Sequence, residues 1–358
     1  MERSGTTTAL TSQDWSIDTD LAEICAAAGP AWDALRGARI FVTGGTGFIG
    51  RWLLESLRYA NERLGLGARA TVLTRDPEAF ANKAPHLAAH VGFDYVAGDV
   101  STFGFGEGRY DFLIHAATDA SAALNEHNPR QMFDTVVNGT RRALDFAEHH
   151  KARMLFLSSG AVYGQQPWEM SHVSETWTGG PKCNDARNTY AEAKRAAEML
   201  CAIYAKQCGV SVITARIFAL LGPFLPLGTH FAAGNFLRDA MDGKAVVVNG
   251  NGLPCRSYLY TSDLTAWLWR MLTGAAAGSV YNVGSEESVS VAGLAERVAA
   301  LVGNGEFKVL GAADTGWNPG RYVPDISAVM HDLNVKRSIS LDDAIVRTAL
   351  FNGWNGRT

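Results

Sequence analysis

Tyr190 and Lys194 stand four residues apart in "NTYAEAKRAAE", which puts them one turn apart on a helix face. A phenol beside an ammonium can serve as a base for a hydroxyl proton. Free tyrosine, with a pKa of about 10, is scarcely ionised at neutral pH, and bringing it to pH 7 takes about 4 kcal/mol of differential stabilisation. A cation one turn away supplies part of that, and the positive ring of an oxidised nicotinamide would add more. Ser159 follows the apolar run "MLFL" and offers a hydroxyl that can hold the same substrate oxygen in line. Hydride transfer at a carbinol carbon is one chemistry that requires such a base, with Tyr190 moving the proton. Taken alone, Tyr190 and Lys194 are as readily a chance pair on a solvated helix. Their meaning depends on the elements that place them.

Those elements begin with "RIFVTGGTGFIGRWLLESL", residues 39–57, an apolar strand, a glycine turn and a helix. Gly44, Gly47 and Gly50 recur at three-residue spacing. Gly44 suits the tight turn, Gly47 removes a Cβ that would block a pyrophosphate, and Gly50 lets the helix approach the sheet. The helix start at Phe48 then presents free N–H groups and a positive dipole end to phosphates. An ordinary glycine-rich turn would share the pattern, but the place on the first strand of an α/β unit favours a dinucleotide. Further strands read at 70–74, 94–97, 112–115, 154–158 and 212–216, with helices at 48–64, 130–149 and 190–207. The expected fold is α/β, a Rossmann-type doubly wound parallel sheet with a smaller α/β C-terminal substrate lobe. Residues 1–36 form an N-terminal extension, polar at first and then helical up to Gly29-Pro30. Residues 37–218 form the dinucleotide-binding part, to which 257–285 return. Residues 219–256 and 286–358 form the substrate lobe, with a further helix at 291–301 and an N-cap at Ser340, three residues before Asp343.

The GxxGxxG turn, "FLSSGAVYG", "NTYAEAKRAAE", "HAAT" at 115–118, "VNGT" at 137–140, "GDV" at 98–100, "GNGLPCRSYLYTSDL" at 250–264 and "YNVGSEE" at 281–287 together resemble the extended short-chain dehydrogenases, the nucleotide-sugar epimerase/dehydratase family. The resemblance runs from about Arg39 to Leu333. It implies Ser159, Tyr190 and Lys194 as the catalytic set. It implies NAD(P) held by Gly44, Gly47, Phe48, Ile49, Gly50, Arg75, Asp99, Val100, Ala116, Ala117, Tyr190 and Lys194. It implies a nucleoside-diphosphate sugar held by Ser159, Asn235, Arg256 and Arg321, the arginines clamping the pyrophosphate bidentately. Asp99 is otherwise a strand-end turn residue, and either arginine a surface one. His115 reads as a structural neighbour of the cofactor, not an acid–base group.

Three departures refine that picture. NAD-preferring relatives usually carry an acidic residue after the second strand; here "TVLTRDP" offers Arg75 first and Asp76 too late, which favours NADP over NAD. Ala219 stands where relatives often have an asparagine on the nucleotide sugar. Gly160 and Ala161 stand where sugar dehydratases carry Asp and Glu, and Ala161 also where the decarboxylating branch carries Glu. The reaction expected is therefore hydride transfer at sugar C4, by a 4-epimerase or a 4-ketoreductase. A 4,6-dehydratase would need a displaced acid and base, with Glu169, His172 or Glu175 as candidates. A reductase of a non-nucleotide carbonyl compound would leave Arg256 without a purpose. A catalytically silent dinucleotide-binding sensor would leave the Ser, Tyr and Lys without one.

Composition narrows the rest. With 358 residues, 47% hydrophobic, and a net charge of -4, the chain can bury a large core and shows no basic excess for nucleic acid. No HExxH or similar histidine spacing points to a metal. Five cysteines without a CxxC pair, no leader-like N-terminus and no long apolar run suggest a cytoplasmic protein without a membrane partner. The apolar faces of Met132–Ala147 and Ala193–Tyr204 suggest a homodimer through a four-helix bundle, unless the same chain covers them.

Overall fold

The computed structural model describes residues 15–118, 122–228, 231–312 and 320–356; the polar start of the extension lies outside them. Its centre is a seven-stranded sheet built from β1 (Arg39–Thr43), β2 (Arg69–Thr74), β3 (Phe93–Ala97), β4 (Phe112–His115), β5 (Arg153–Ser159), β6 (Val212–Ile217) and, after β7 (Cys255–Arg256), β8 (Val280–Val283). The order is β8-β6-β5-β4-β1-β2-β3, and every neighbouring pair runs parallel. Strands covered on both faces need apolar side chains on both, which is why β4 and β5 read as continuous hydrophobic runs. The order reverses between β1 and β4, and in such sheets a crevice opens at the strand ends there.

Helices α1 (Ile17–Ala28), α2 (Phe48–Leu64), α3 (Pro129–His150) and α4 (Thr189–Cys208) lie close to the sequence expectation. Among the helices that escaped it are α5 (Ala232–Met241) and α6 (Thr261–Gly274). Helix α6 is buried on nearly every side, with Trp267, Leu268 and Trp269 all in the core, so no amphipathic period marks it. Helices α7 (Val291–Leu301) and α8 (Leu341–Phe351) share a second hydrophobic cluster with α5, around Phe236, Leu237, Leu294, Val298 and Ile345. Ser340 caps α8, accepting the Asp343 N–H.

The N-terminal segment is integral to the core. Leu21, Ile24, Trp32 and Leu35 are buried with Trp267 and Trp269. Asp20, fully buried, accepts hydrogen bonds from Trp15 Nε1 (2.8 Å), the Tyr260 hydroxyl (2.6 Å) and Arg347 Nη1 (2.6 Å). It thereby ties α1 to the start of α6 and to α8.

A small three-stranded sheet stands over the crevice. β7 pairs with β9 (Val289–Ser290) and with β10 (Arg321–Tyr322), setting Tyr322 opposite Arg256 and Arg321 opposite Cys255.

Candidate active site

The glycine turn joins β1 to α2. Gly44 has φ +73°, and a Cβ there would lie 2.5 Å from the Ala116 carbonyl carbon and the Ala117 nitrogen. Thus "HAAT" packs directly on the turn, and Ala117 N–H donates to Thr43 Oγ1 at 3.3 Å. A Cβ on Gly50 would collide with the Gly44 carbonyl and lie 2.5 Å from Gly45 Cα, so α2 sits tight against its own loop. Gly47 differs. Its backbone is extended, no side chain caps α2 there, and a Cβ would meet only the Gly44 oxygen at 3.4 Å, an ordinary contact. No protein atom requires glycine at 47. A cradle kept clear of side chains before an uncapped helix end fits a pyrophosphate, so the residues present fit a dinucleotide.

Asp99 and Arg75 lie beyond the next strands. Ser101 donates to the Asp99 carboxylate from its N–H (2.9 Å) and its hydroxyl (2.5 Å), which, with the nearby Arg75 charge, holds Asp99 below the usual carboxylate range. Val100 packs against Gly139. Asp76 caps the helix Pro77–Lys83 by accepting the Ala79 N–H at 2.9 Å, so its carboxylate is committed elsewhere. Nothing in this geometry supports the NADP preference expected from Arg75, which lies near enough to Asp99 only to lower its pKa slightly.

His115 is buried between Thr43 Oγ1 (2.7 Å) and Thr140 Oγ1 (3.2 Å). Burial, with Lys194 nearby, pushes its pKa down to about 3, so the ring is neutral and ties β1 to β4.

Ser159 ends β5, and Tyr190 and Lys194 lie in the first turns of α4. The Ser159 oxygen accepts the Ala161 N–H at 3.1 Å, and the serine lies near both the Tyr190 and the Tyr322 phenols. Burial holds the Tyr190 phenol above its ordinary value, and the neighbouring Ser159 hydroxyl pulls the other way. Lys194 is buried and donates to Thr118 Oγ1 (2.8 Å) and the Leu157 carbonyl (2.7 Å). Burial brings the Lys194 pKa down to about 7, against the pull of Glu198. Glu198 extends the row to 190, 194 and 198, a spacing that could have marked it. It accepts from Ser158 Oγ (2.5 Å) and binds Arg216, whose Nη1 donates to the Tyr163 hydroxyl at 2.8 Å. Tyr163 in turn donates to Asn282 Oδ1 at 2.7 Å, so it is a structural member of this network.

The substrate candidates are distributed over the lobe. Arg256 is half-buried, its Cζ 5.9 Å from the Tyr322 ring centre, and so it lies on the Ser159 side. Arg321 alternates to the other face of β10 and stacks on Trp168 at 4.6 Å. Asn235 lines a cavity of about 670 Å³ with Arg238, Val247, Asn249 and Gly250. Of the candidates for a displaced acid and base, Glu175 accepts the Asn282 N–H (2.7 Å), His172 contacts Ser171 and the Glu286 carbonyl, and Glu169 is exposed. None touches Ser159 or Tyr190. Among the described residues, no group of three His, Cys, Asp or Glu side chains could hold a metal ion, and no helix is long and apolar enough to cross a membrane.

Sequence spacing does not reveal Thr118, Phe218 or Tyr322, which reach the site only through the fold. A Cβ on Gly160 would lie 2.6 Å from Phe218 Cζ and 2.7 Å from the Tyr322 hydroxyl. Glycine is required there by packing.

Comparison with known proteins identifies the family and the fold. The model of the NAD dependent epimerase/dehydratase family matches residues 40–284. UDP-glucuronic acid decarboxylase 1 of Xenopus tropicalis is 30% identical over 311 residues, 87% of this chain and 71% of that protein. UDP-glucuronic acid decarboxylase 6 of Arabidopsis thaliana is 30% identical over 86% of each chain. UDP-glucose 4-epimerase from Thermotoga maritima, solved with UDP-glucose, shares the fold with a TM-score of 0.73 at 20% identity, over 88% of this chain and 98% of that one. dTDP-glucose 4,6-dehydratase from Bacillus anthracis, solved with NAD, does so with a TM-score of 0.73 at 19% identity, over 88% and 96%. The chain is an enzyme that belongs to the NAD dependent epimerase/dehydratase family, within the extended short-chain dehydrogenases that act on nucleotide sugars.

Proposed function

We propose that this enzyme transfers hydride at C4 of a nucleoside-diphosphate sugar, as a 4-epimerase or a 4-ketoreductase, with NAD bound over the glycine turn. Bound NAD would supply the hydride acceptor and donor. Tyr190 takes the proton of the C4 hydroxyl as the carbonyl forms and returns it when the carbonyl is reduced. Ser159 donates to the C4 oxygen and keeps it beside Tyr190. Lys194, fixed by Thr118 and Leu157, brings a third N–H and its charge to the cofactor ribose. Arg256 and the cavity beside Asn235 take the diphosphate and nucleoside.

The observation that carries this reading is Gly160. Dehydration and decarboxylation each need an additional proton-moving group or a substitute beside Ser159. Phe218 and Tyr322 fill the space a side chain at 160 would need, and Ala161 has no titratable group. The 30% identity to UDP-glucuronic acid decarboxylases therefore does not extend to a glutamate at 161.

The same reading makes the protein cytoplasmic and homodimeric. Met132, Val136, Ala143, Ala193 and Ala197 are buried within the chain, but Phe133 on α3 and Met199 and Ile203, one turn apart on α4, stay exposed. A partner copy would cover them.

A thermal-shift panel of UDP-, dTDP-, CDP- and GDP-sugars, each with NAD or NADP, followed by product NMR, tests the reaction. The expected product is inverted at C4, or reduced there from a 4-keto sugar, and Tyr190→Phe abolishes it. A 4-keto-6-deoxy product from an intact hexose, or carbon dioxide from UDP-glucuronic acid, would overturn the proposal.

A further inference from the structure

The hydrogen bonds around His115 leave its buried ring a single tautomer. Thr140, one of its two partners, lies on α3 and donates its hydroxyl to the Val136 carbonyl one turn back, at 2.7 Å. With that proton committed, Thr140 Oγ1 can only accept at 3.2 Å, so His115 Nε2 carries the hydrogen. The ring is neutral, and a neutral imidazole has one N–H. Nδ1 is therefore an acceptor, and Thr43 donates to it across 2.7 Å. The Thr43 oxygen in turn accepts the Ala117 N–H at 3.3 Å, beside the Ala116 N–H that bonds the Thr43 carbonyl at 3.0 Å. On its other side Ala117 accepts from Thr118 Oγ1 (2.9 Å), and that hydroxyl oxygen accepts from Lys194 Nζ (2.8 Å). Every donor points the same way, from Lys194 on α4 through Thr118, Ala117, Thr43, His115 and Thr140 to a carbonyl of α3.

We propose that His115 is a positioning residue for the dinucleotide: by accepting the Thr43 proton it fixes the Ala116–Ala117 segment against the glycine turn, and with that segment Thr118, the acceptor that aims Lys194 at the cofactor ribose. The fit there is close. A Cβ on Gly44 would lie 2.5 Å from both the Ala116 carbonyl carbon and the Ala117 nitrogen, so a shift of the segment toward the turn displaces Gly44 itself. Thr43 and Thr140 are fully buried, which leaves both hydroxyls to bond within the protein.

The proposal rests on the reading that NAD lies over the glycine turn, and calorimetric titration of the full-length protein with NAD separates the two. A wild type that binds no NAD overturns both. Thr43→Val keeps the shape and removes the hydroxyl, and NAD affinity should fall by about threefold to tenfold, as for the loss of one hydrogen bond. Thr43→Ser restores the hydroxyl and should bind within about twofold of wild type. His115→Asn offers an oxygen near the place of Nδ1 and should keep most of the affinity, whereas His115→Leu should lose as much as Thr43→Val. In the Thr43→Val background His115→Leu should add nothing to that loss, whatever it does to stability in urea. Nitrogen NMR of histidine-labelled protein should show His115 as the neutral Nε2–H form between pH ~5 and ~8. Should His115→Leu not fold, the two Thr43 variants and the tautomer decide. An Nδ1–H tautomer, a Thr43→Val protein that binds NAD within about twofold of wild type, or a His115→Leu loss undiminished in the Thr43→Val background overturns the role of His115 and leaves NAD over the turn.

Discussion

Gly47→Ala and Gly50→Ala look alike on paper, yet the structure separates them. Gly47 has φ −83° and ψ −178°, which any residue adopts, and an added methyl would first meet the Gly44 oxygen at 3.4 Å. The cofactor-free protein should therefore lose under about 1 kcal/mol, mostly from placing alanine at a helix N-cap. If a pyrophosphate lies against this turn, the same methyl stands in its place, and NAD affinity should fall by about tenfold to a hundredfold, roughly 1.4 to 3 kcal/mol. Gly50 has no such room. A methyl there would be 2.5 Å from Gly45 Cα and closer still to the Gly44 carbonyl, all backbone that cannot step aside. Overpacking of that kind costs about 1–3 kcal/mol or more in the folded protein itself. Urea unfolding without cofactor and calorimetric titration with NAD measure the two effects separately. The expected pattern is a stable, poorly binding Gly47→Ala and a destabilised Gly50→Ala. A Gly47→Ala protein that binds NAD within about twofold of wild type would show that the turn does not carry the pyrophosphate.

Asp20 offers a pH test of the N-terminal clasp. Burial outweighs its hydrogen bonds and Arg347, raising its pKa from 3.8 to about 6. The folded state then keeps a proton that the unfolded chain releases, so this contribution is complete below pH ~4 and is lost as pH rises through ~6, by about 3 kcal/mol. Urea unfolding should show stability falling from pH ~4 to ~6.5, with a visibly shallower fall in Asp20→Asn; equal slopes would refute the assignment. Asp263, also buried and raised to about 6, accounts for part of the slope that remains. For the dimer, sedimentation should give two copies at micromolar concentration and a monomer for Met199→Glu combined with Ile203→Glu, whereas a monomeric wild type would mean those side chains are simply exposed.

Local chemistry made much of this protein legible in its sequence. Five of the first six sheet strands announce themselves because buried parallel strands must be apolar on both faces, the exception being the largely exposed edge strand β3, and α2 because a glycine turn and an amphipathic period frame it. Tyr190 and Lys194 are visible because one helical turn fixes their separation whatever the rest of the chain does. Ser159 is visible because a short strand carries it to the same edge. None of these inferences needs a contact between distant segments. What the tertiary structure decided is what distant segments do to one another. The residues that require Gly160 to be glycine, Phe218 and Tyr322, lie 58 and 162 positions further on, and only the docking of β10 beside β7 brings Tyr322 to Ser159. Arg256 and Arg321 look equivalent as charges, but strand alternation sends one toward the serine and the other onto Trp168. That Arg75 lies close enough to Asp99 to affect its pKa is set by the fold, not by their 24-residue separation. Asp20, an unremarkable acid in an extension without a family counterpart, becomes a buried clasp because Tyr260 and Arg347 converge on it from positions 240 and 327 residues away. Spacing along a helix or strand is set by the backbone, whereas the environment of a side chain is set by whichever remote segment packs against it.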